Sequence, residues 1–314
     1  MGLVKKIGKD DCLSKIKKQL EYLRDIPSEI QPYSGDLSYG PHTVIKLMFL
    51  NYYMGFFLPI AKKYARGKVI FIDAFGGSGL INIKGTDIYV KGSSLCAALA
   101  NYARPNKPTF DEVYSFEINP ERYELLKKRF EILEKKVHPN LHPINKDVNT
   151  AIYEIEINKE DFVLLFIDPE GLEPQMINFL IFALQSEHVD IILNISSGVR
   201  RVAGMAKINP TYEKKLREFL PNYRADISVY DAIDELFTKY FHKMAEVSTQ
   251  VNIAGKKEIY TLTLRVRKTK GGTPFVSRFE EFTECLRKVS GDHIYKILTT
   301  PRSIEEWDNT SEKN

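Results

Sequence analysis

Cysteine is scarce in this chain. Cys12, Cys96 and Cys285 lie far apart, and no Cys-x-x-Cys pair occurs. That spacing argues against a disulfide framework and a cysteine zinc site, and it suits a reducing, cytoplasmic setting. The six histidines show no metal-ligand spacing, so no metal is expected, and His42 reads as structural. No serine–histidine–acid arrangement is legible. An excess of one charge is also missing: 45 Lys and Arg against 41 Asp and Glu leave +4, which permits nucleic acid as a partner without requiring it. Long apolar runs are absent too. The longest uncharged stretch, Leu47 to Ala61, falls short of the ~20 residues that cross a bilayer. It contains Asn51, Gly55 and Pro59, so it reads as a packed core helix, and no membrane partner is expected. The opening residues, Met-Gly-Leu-Val-Lys-Lys-Ile, are too polar for a signal peptide, with lysine where a myristoylation signal needs Ser or Thr.

What is present is an alternation of strands and helices. Leu13, Ile16, Leu20 and Leu23 recur at helical spacing, and a long helix is expected over His42 to Ala65. From Lys68 onward, apolar strands are expected at Val69–Ile72, Glu112–Phe116, His142–Ile144, Phe162–Ile167 and Val189–Ile195, with helices between them. Ser93 or Ser94 is expected to cap one helix, and Asn119-Pro120 to open the next. Two alternating segments, Ser248–Ala254 and Glu258–Arg267, read as a closing hairpin. The implied fold is α/β, a doubly wound Rossmann-like sheet. Residues 1–66 form a helical extension packed on the core, 67–301 the α/β domain, and 302–314 a polar, frayed tail.

The richest stretch is Val69-Ile-Phe-Ile-Asp-Ala-Phe-Gly-Gly-Ser-Gly79, a buried strand ending in an acid and then a glycine loop. Glycines let a ligand lie against the backbone. No Gly-Lys-Ser/Thr follows, which excludes a phosphate loop, and the third glycine of G-x-G-x-x-G is replaced by Asn82. Three further strands end in acids: Glu117, Asp147 and Asp168. A glycine loop with an acid suits hydroxyls and positive charge, which S-adenosylmethionine carries. In that reading Asp73 and the loop Phe75, Gly76, Gly77, Ser78 and Gly79, with Ser93, sit at the amino-acid part of the cofactor. Glu117 accepts the ribose hydroxyls, Asp147 receives the adenine amine, and Phe75, Ile118 and Val148 supply apolar walls. With a strand order of 3-2-1-4-5, Asp73 and Asp168 stand side by side at the switch point.

Asp-x-Phe-x-Gly-x-Gly after a strand resembles the first motif of class I nucleic-acid methyltransferases, whose sheet also ends in an antiparallel hairpin. More narrowly, the chain resembles the three-Cys-motif partner protein family through Lys46-Leu47, Phe75-Gly-Gly-Ser-Gly79, Gly92-Ser-Ser-Leu95 and Phe166-Ile-Asp-Pro-Glu-Gly171. Gly76, Ser78 and Ser94 depart from that family's Ala, Pro and Pro. The resemblance covers roughly residues 42 to 270 and implies S-adenosylmethionine as cofactor and a partner protein with a three-cysteine, radical-type motif. Asp168, Pro169 and Glu170 are the catalytic candidates, Asp168 accepting a proton or hydrogen bond from an attacking amine. The turn lacks the aromatic that base amino-methyltransferases carry there, which argues against base N-methylation. Arg200 and Arg201 after the fifth strand, Arg265, Arg267, Lys268 and Lys270 on the last hairpin, and Lys46 are candidate substrate contacts, the basic clusters through phosphate. The expectation is a methyltransferase acting on RNA or DNA; the alternative is a silent methyltransferase-like module serving the three-cysteine partner.

Overall fold

The computed structural model describes residues 9–102, 104, 106–241, 244–253, 257–267 and 274–300. Lys268, Lys270, the hairpin turn and the polar tail lie outside them. In chain order the elements are α1 (Lys9–Arg24), β1 (Leu37–Tyr39), α2 (Thr43–Tyr64), β2 (Val69–Asp73), β3 (Leu80–Ile83), β4 (Tyr89–Lys91) and α3 (Ser93–Ala98). There follow β5 (Glu112–Phe116), α4 (Pro120–Leu133), β6 (Asn140–Ile144), α5 (Val148–Ala151), β7 (Phe162–Ile167), α6 (Met176–Ala183) and β8 (His188–Ser196). The chain continues through α7 (Ser197–Ala206), α8 (Pro210–Phe219), α9 (Val229–Tyr240), β9 (Met244–Ile253), β10 (Lys257–Arg267), α10 (Pro274–Arg287) and α11 (Gly291–Thr299).

The main sheet has seven strands in the order β6-β5-β2-β7-β8-β10-β9. The first five run parallel, while β10 runs antiparallel to both β8 and β9. Counting only the strands of this sheet, the order is 3-2-1-4-5-7-6, so the first and fourth are neighbours as expected. Period-two alternation divides the core. Val69 and Phe71 join one cluster with α1, α2, α4 and α10, while Ile70 and Ile72 face the other with α6 and α9. Helices on both faces make this a doubly wound α/β fold.

Helix α2 is long and apolar enough to cross a membrane by length and composition alone. Here it is a core helix, with Val44, Leu47, Met48, Phe49, Leu50 and Tyr53 all buried. Asn119 caps α4, accepting from the Arg122 N–H at 3.0 Å ahead of Pro120. The expected serine cap of α3 is corrected: Gly92 is the N-cap, because the Ser94 hydroxyl is engaged elsewhere. The stretch between the glycine loop and α3 is not a plain excursion. Its strands β3 and β4 form a second sheet with β1, in the order β1-β3-β4.

A second correction concerns the cysteines. Cys12 on α1 and Cys285 on α10 are joined in a disulfide across 273 residues, with Cα atoms 5.4 Å apart. The two helices pack on the same core cluster, which brings together residues that spacing alone leaves unrelated.

Candidate active site

The site is built at the carboxyl ends of β2, β5 and β7, where the loops leave the sheet. Asp73 pairs in register with Ser115 on one side and Phe166 on the other. The loop after it is held by the neighbouring strands: the Ala74 N–H donates to the Phe166 carbonyl at 3.0 Å, and the Gly76 N–H to the Phe116 carbonyl at 2.7 Å. A Cβ on Gly76 would lie 1.9 Å from the Ser115 hydroxyl oxygen, so no side chain fits. Gly77 and Gly79 have φ of 61° and 92°, the left-handed region that glycine enters without strain.

Asp73 is fully buried beneath this loop. It accepts from the Phe75 N–H at 3.2 Å and from the Ser94 hydroxyl at 2.7 Å, and Ser94 Oγ in turn lies 2.6 Å from Ser115 Oγ. Burial pushes the Asp73 carboxyl up to about 6 from 3.8; the hydroxyls of Ser93 and Ser94 and the Phe75 N–H oppose that rise, and the nearby charge of Asp168 adds to it. Ser94 and Ser115 were not among the sequence candidates. The polar Ser115 inside the apolar run of β5 was the available signal.

Glu117, at the end of β5, is buried and accepts the Asn119 N–H on Oε1 at 2.7 Å; its second oxygen has no partner among the described residues. Ile118, beside it, is 67% exposed, an apolar side chain open at the rim. Asp147 caps α5, accepting from the Asn149 N–H at 2.9 Å, with the buried Val148 behind it. Phe75 is half-buried against the core.

Ser78 departs from the cofactor role given to it. Its buried hydroxyl turns inward to Asp36 at 2.7 Å and to the Leu80 carbonyl at 3.1 Å. Asp36 is also bound by Arg129, whose guanidinium makes bonds of 2.6 and 2.7 Å to its two oxygens and a third, of 2.6 Å, to the Ser78 carbonyl. Sequence reasoning missed this lock. A basic residue in the apolar stripe of α4, with Leu126, Phe130 and Leu133, was the signal for it.

On the far side of the switch point stands Asp168. Lys46, from the first turn of α2, meets it at 2.5 Å, and the Asn194 amide donates to it at 2.7 Å. Tyr260 on β10 anchors that turn by donating its hydroxyl to the His42 carbonyl at 2.5 Å. His42 is kept below its ordinary value by burial and by the Lys46 charge. Pro169 is buried and Glu170 exposed, where Glu170 accepts the hydroxyl of Tyr39 on β1. Burial, then Glu170, raises that phenol well above its ordinary value. At the neighbouring end of β8, Asn194 Oδ1 and Ser196 Oγ are buried without a partner among the described residues.

The arginine candidates divide. Arg200 and Arg201 lie in the first turns of α7, directly after β8, and so at this rim; Arg201 is exposed. Arg265 is a correction. It pairs in register with Ile191, well before the carboxyl end of β8, is buried, and binds Asp234 with its guanidinium over the Phe237 ring. Because β10 runs antiparallel, Arg265 and then Arg267 lie toward the opposite edge of the sheet from Asp168.

No protein-family model matches the chain, and comparison with curated protein sequences finds no match. Comparison with solved structures finds likenesses at low identity. A Legionella pneumophila protein of family DUF519 shares 11% identity, covering 82% of this chain and 96% of that one at a TM-score of 0.48. An O-methyltransferase from Bacillus cereus, solved with SAH, shares 13% over 84% and 93% at 0.40. Trm1 from Pyrococcus horikoshii, solved with S-adenosyl-L-methionine, shares 12% over 81% and 60% at 0.44. Strand order and direction, rather than these likenesses, carry the fold assignment.

Proposed function

We propose that the protein is an S-adenosylmethionine-dependent methyltransferase acting on nucleic acid. One observation carries the reading: a glycine loop over buried Asp73, flanked by Glu117 and Asp168 on the two adjacent strands, at the switch point of a sheet ordered 3-2-1-4-5-7-6. The residues present fit the cofactor. Glu117 has an oxygen without a partner among the described residues for a ribose hydroxyl, and Ile118 offers an apolar face to adenine. Asp73 would hold the amino-acid end, and Asp147 and Val148 the adenine edge. When bound, the cofactor supplies a methyl group on a sulfonium, ready for in-line displacement.

The chain's own residues then align the acceptor. Asp168 sits beside Asp73, fixed by Lys46 and Asn194, and each carboxylate oxygen keeps a lone pair for an acceptor N–H or O–H. Tyr39 and Glu170 flank it. Arg200 and Arg201 stand where phosphates of a nucleic-acid acceptor would approach. Calorimetry with S-adenosylmethionine tests the cofactor half: binding is expected in the wild type and weakened in Asp73→Ala and Glu117→Ala. No binding to any of the three sinks it. Tritiated donor with total cellular RNA and DNA tests the acceptor, label in the nucleic-acid fraction being expected.

A second reading has its own observation. Lys46 and Asn194 already occupy both oxygens of Asp168, an arrangement that also suits a scaffold which binds the cofactor and transfers nothing. Such a scaffold would serve the three-cysteine partner that the motif resemblance implies. It incorporates no label under any condition.

A further inference from the structure

Away from the rim, α1, α2 and the residues that follow α3 line a half-open cavity of about 1160 Å³. Lys91, the last residue of β4, lies against it and is only 1% exposed. Among the described residues its ammonium makes no ion pair and no hydrogen bond. It lies over the ring of Tyr22, whose centroid is 3.5 Å away, and Asp25, which lines the same cavity, acts on it only at longer range. Buried ammonium groups are ordinarily paired, because desolvation without a counter-charge is costly. The Tyr22 face offsets part of that cost, and burial still depresses the lysine's pKa. Tyr22 is fixed in turn, donating its hydroxyl to the Cys96 carbonyl at 2.8 Å. The cavity is apolar along Tyr52, Phe56 and Leu58. Five cationic and three acidic side chains line it, and the ion pairs Lys15–Asp11 and Lys136–Glu29 each take one of them.

We infer that this cavity is a binding site for a small ligand bearing an oxyanion, carboxylate or phosphate, on an apolar body. The anion meets Lys91 in a charge-assisted contact, and the body lies along the aromatic wall of α2. The site is independent of the methyl-donor reading and shares no residue with it. The two do touch one strand end: Lys91 precedes Gly92, whose N–H donates to the Gly79 carbonyl at 2.7 Å.

Calorimetry of the full chain with phenyl phosphate, benzoate and inorganic phosphate tests the site and separates the two anion sources. Two variants accompany it. Lys91→Met keeps the length of the side chain without its charge. Gly55→Phe adds a ring to the cavity's α2 wall, where a Cβ meets nothing within 4 Å, so it narrows the site beside Tyr52 and Phe56, and it improves helix propensity. Saturable binding of phenyl phosphate or benzoate is expected, weakened about tenfold or more by Lys91→Met and changed in affinity by Gly55→Phe in a protein that still melts cooperatively. If neither aromatic anion saturates, if Gly55→Phe binds like the wild type, or if inorganic phosphate binds as tightly as phenyl phosphate, the inference fails.

Discussion

Two of the carboxylates held by cations, Asp36 and Asp168, differ in what their surroundings leave over. Asp36 and Arg129 are closed off, with side chains 1% and 0% exposed. Asp36 also takes the Ser78 hydroxyl and the Tyr33 N–H, at 2.7 and 2.8 Å. Asp168 and Lys46 stand at a loop end with side chains 10% and 16% exposed, beside two buried polar atoms of β8 that have no partner among the described residues. Both oxygens of Asp36 are taken, and the one group left over, Arg129 Nε, has no partner among the described residues but is shut inside the core, so this pair fixes position and offers nothing to a ligand. A pair with unused capacity beside it is where chemistry can occur. The first pair clamps the glycine loop from behind through the Ser78 carbonyl; the second faces the space in front of that loop.

Breaking the buried Asp36–Arg129 pair has the largest expected effect. Arg129→Met strands the Asp36 carboxylate in the core and frees the loop carbonyl, so it should cost about 3–5 kcal/mol in denaturant unfolding. Arg129→Met with Asp36→Leu should recover most of that. A single variant as stable as the wild type would show that the pair is not the clamp described. At Asp168 the contrast is sharpest. Asp168→Asn should lower methyl transfer to nucleic acid about 10²–10⁴-fold while costing far less stability than Arg129→Met. Equal losses of stability would collapse the distinction.

The third test uses pH. The folded pKa of Asp73, about 6, lies above its ordinary 3.8. Folding therefore favours its protonated form, and the stability it contributes is complete below about pH 4 and is lost as pH rises through 6. Asp73→Asn stays neutral throughout, so its unfolding free energy should fall less steeply over that window. The cationic donor needs the ionised form, so its affinity should drop about tenfold per pH unit below 6 in the wild type. A pH-independent affinity would place the donor's charge elsewhere.

Much of this contrast was legible in the chain, unevenly. The apolar runs of β2 and β7 and the acids at their ends located the rim, because buried parallel strands leave a continuous apolar signature. Asp168 was legible as a strand end, but its partner Lys46 was drawn in only by motif resemblance, since 122 residues of chain separate them. The small sheet escaped notice: β1 has three residues and β3 four, too short for alternation to register. Helix α7 was hidden because Ser197-Gly198 reads as a loop. The direction of β10 was legible as a hairpin, yet its consequence for Arg265 was not drawn until the register placed it beside Ile191.

That register gives the smallest effect and the last test. Arg265 is a spent charge, like Arg129: buried, bound to Asp234 and stacked on Phe237. Arg201 is exposed on α7, one turn from the carboxyl end of β8. Phosphate recognition requires a charge that can shed counterions, which a buried and paired guanidinium cannot do. Arg201→Ala should therefore weaken retention on immobilised RNA or DNA by about threefold at moderate salt and flatten its salt dependence slightly, as expected for the loss of one phosphate contact. Arg265→Ala should leave the salt slope unchanged and appear instead as a loss of thermal stability. If the two variants exchange these behaviours, the nucleic acid lies along the opposite edge of the sheet, and Asp168 is not the acceptor site.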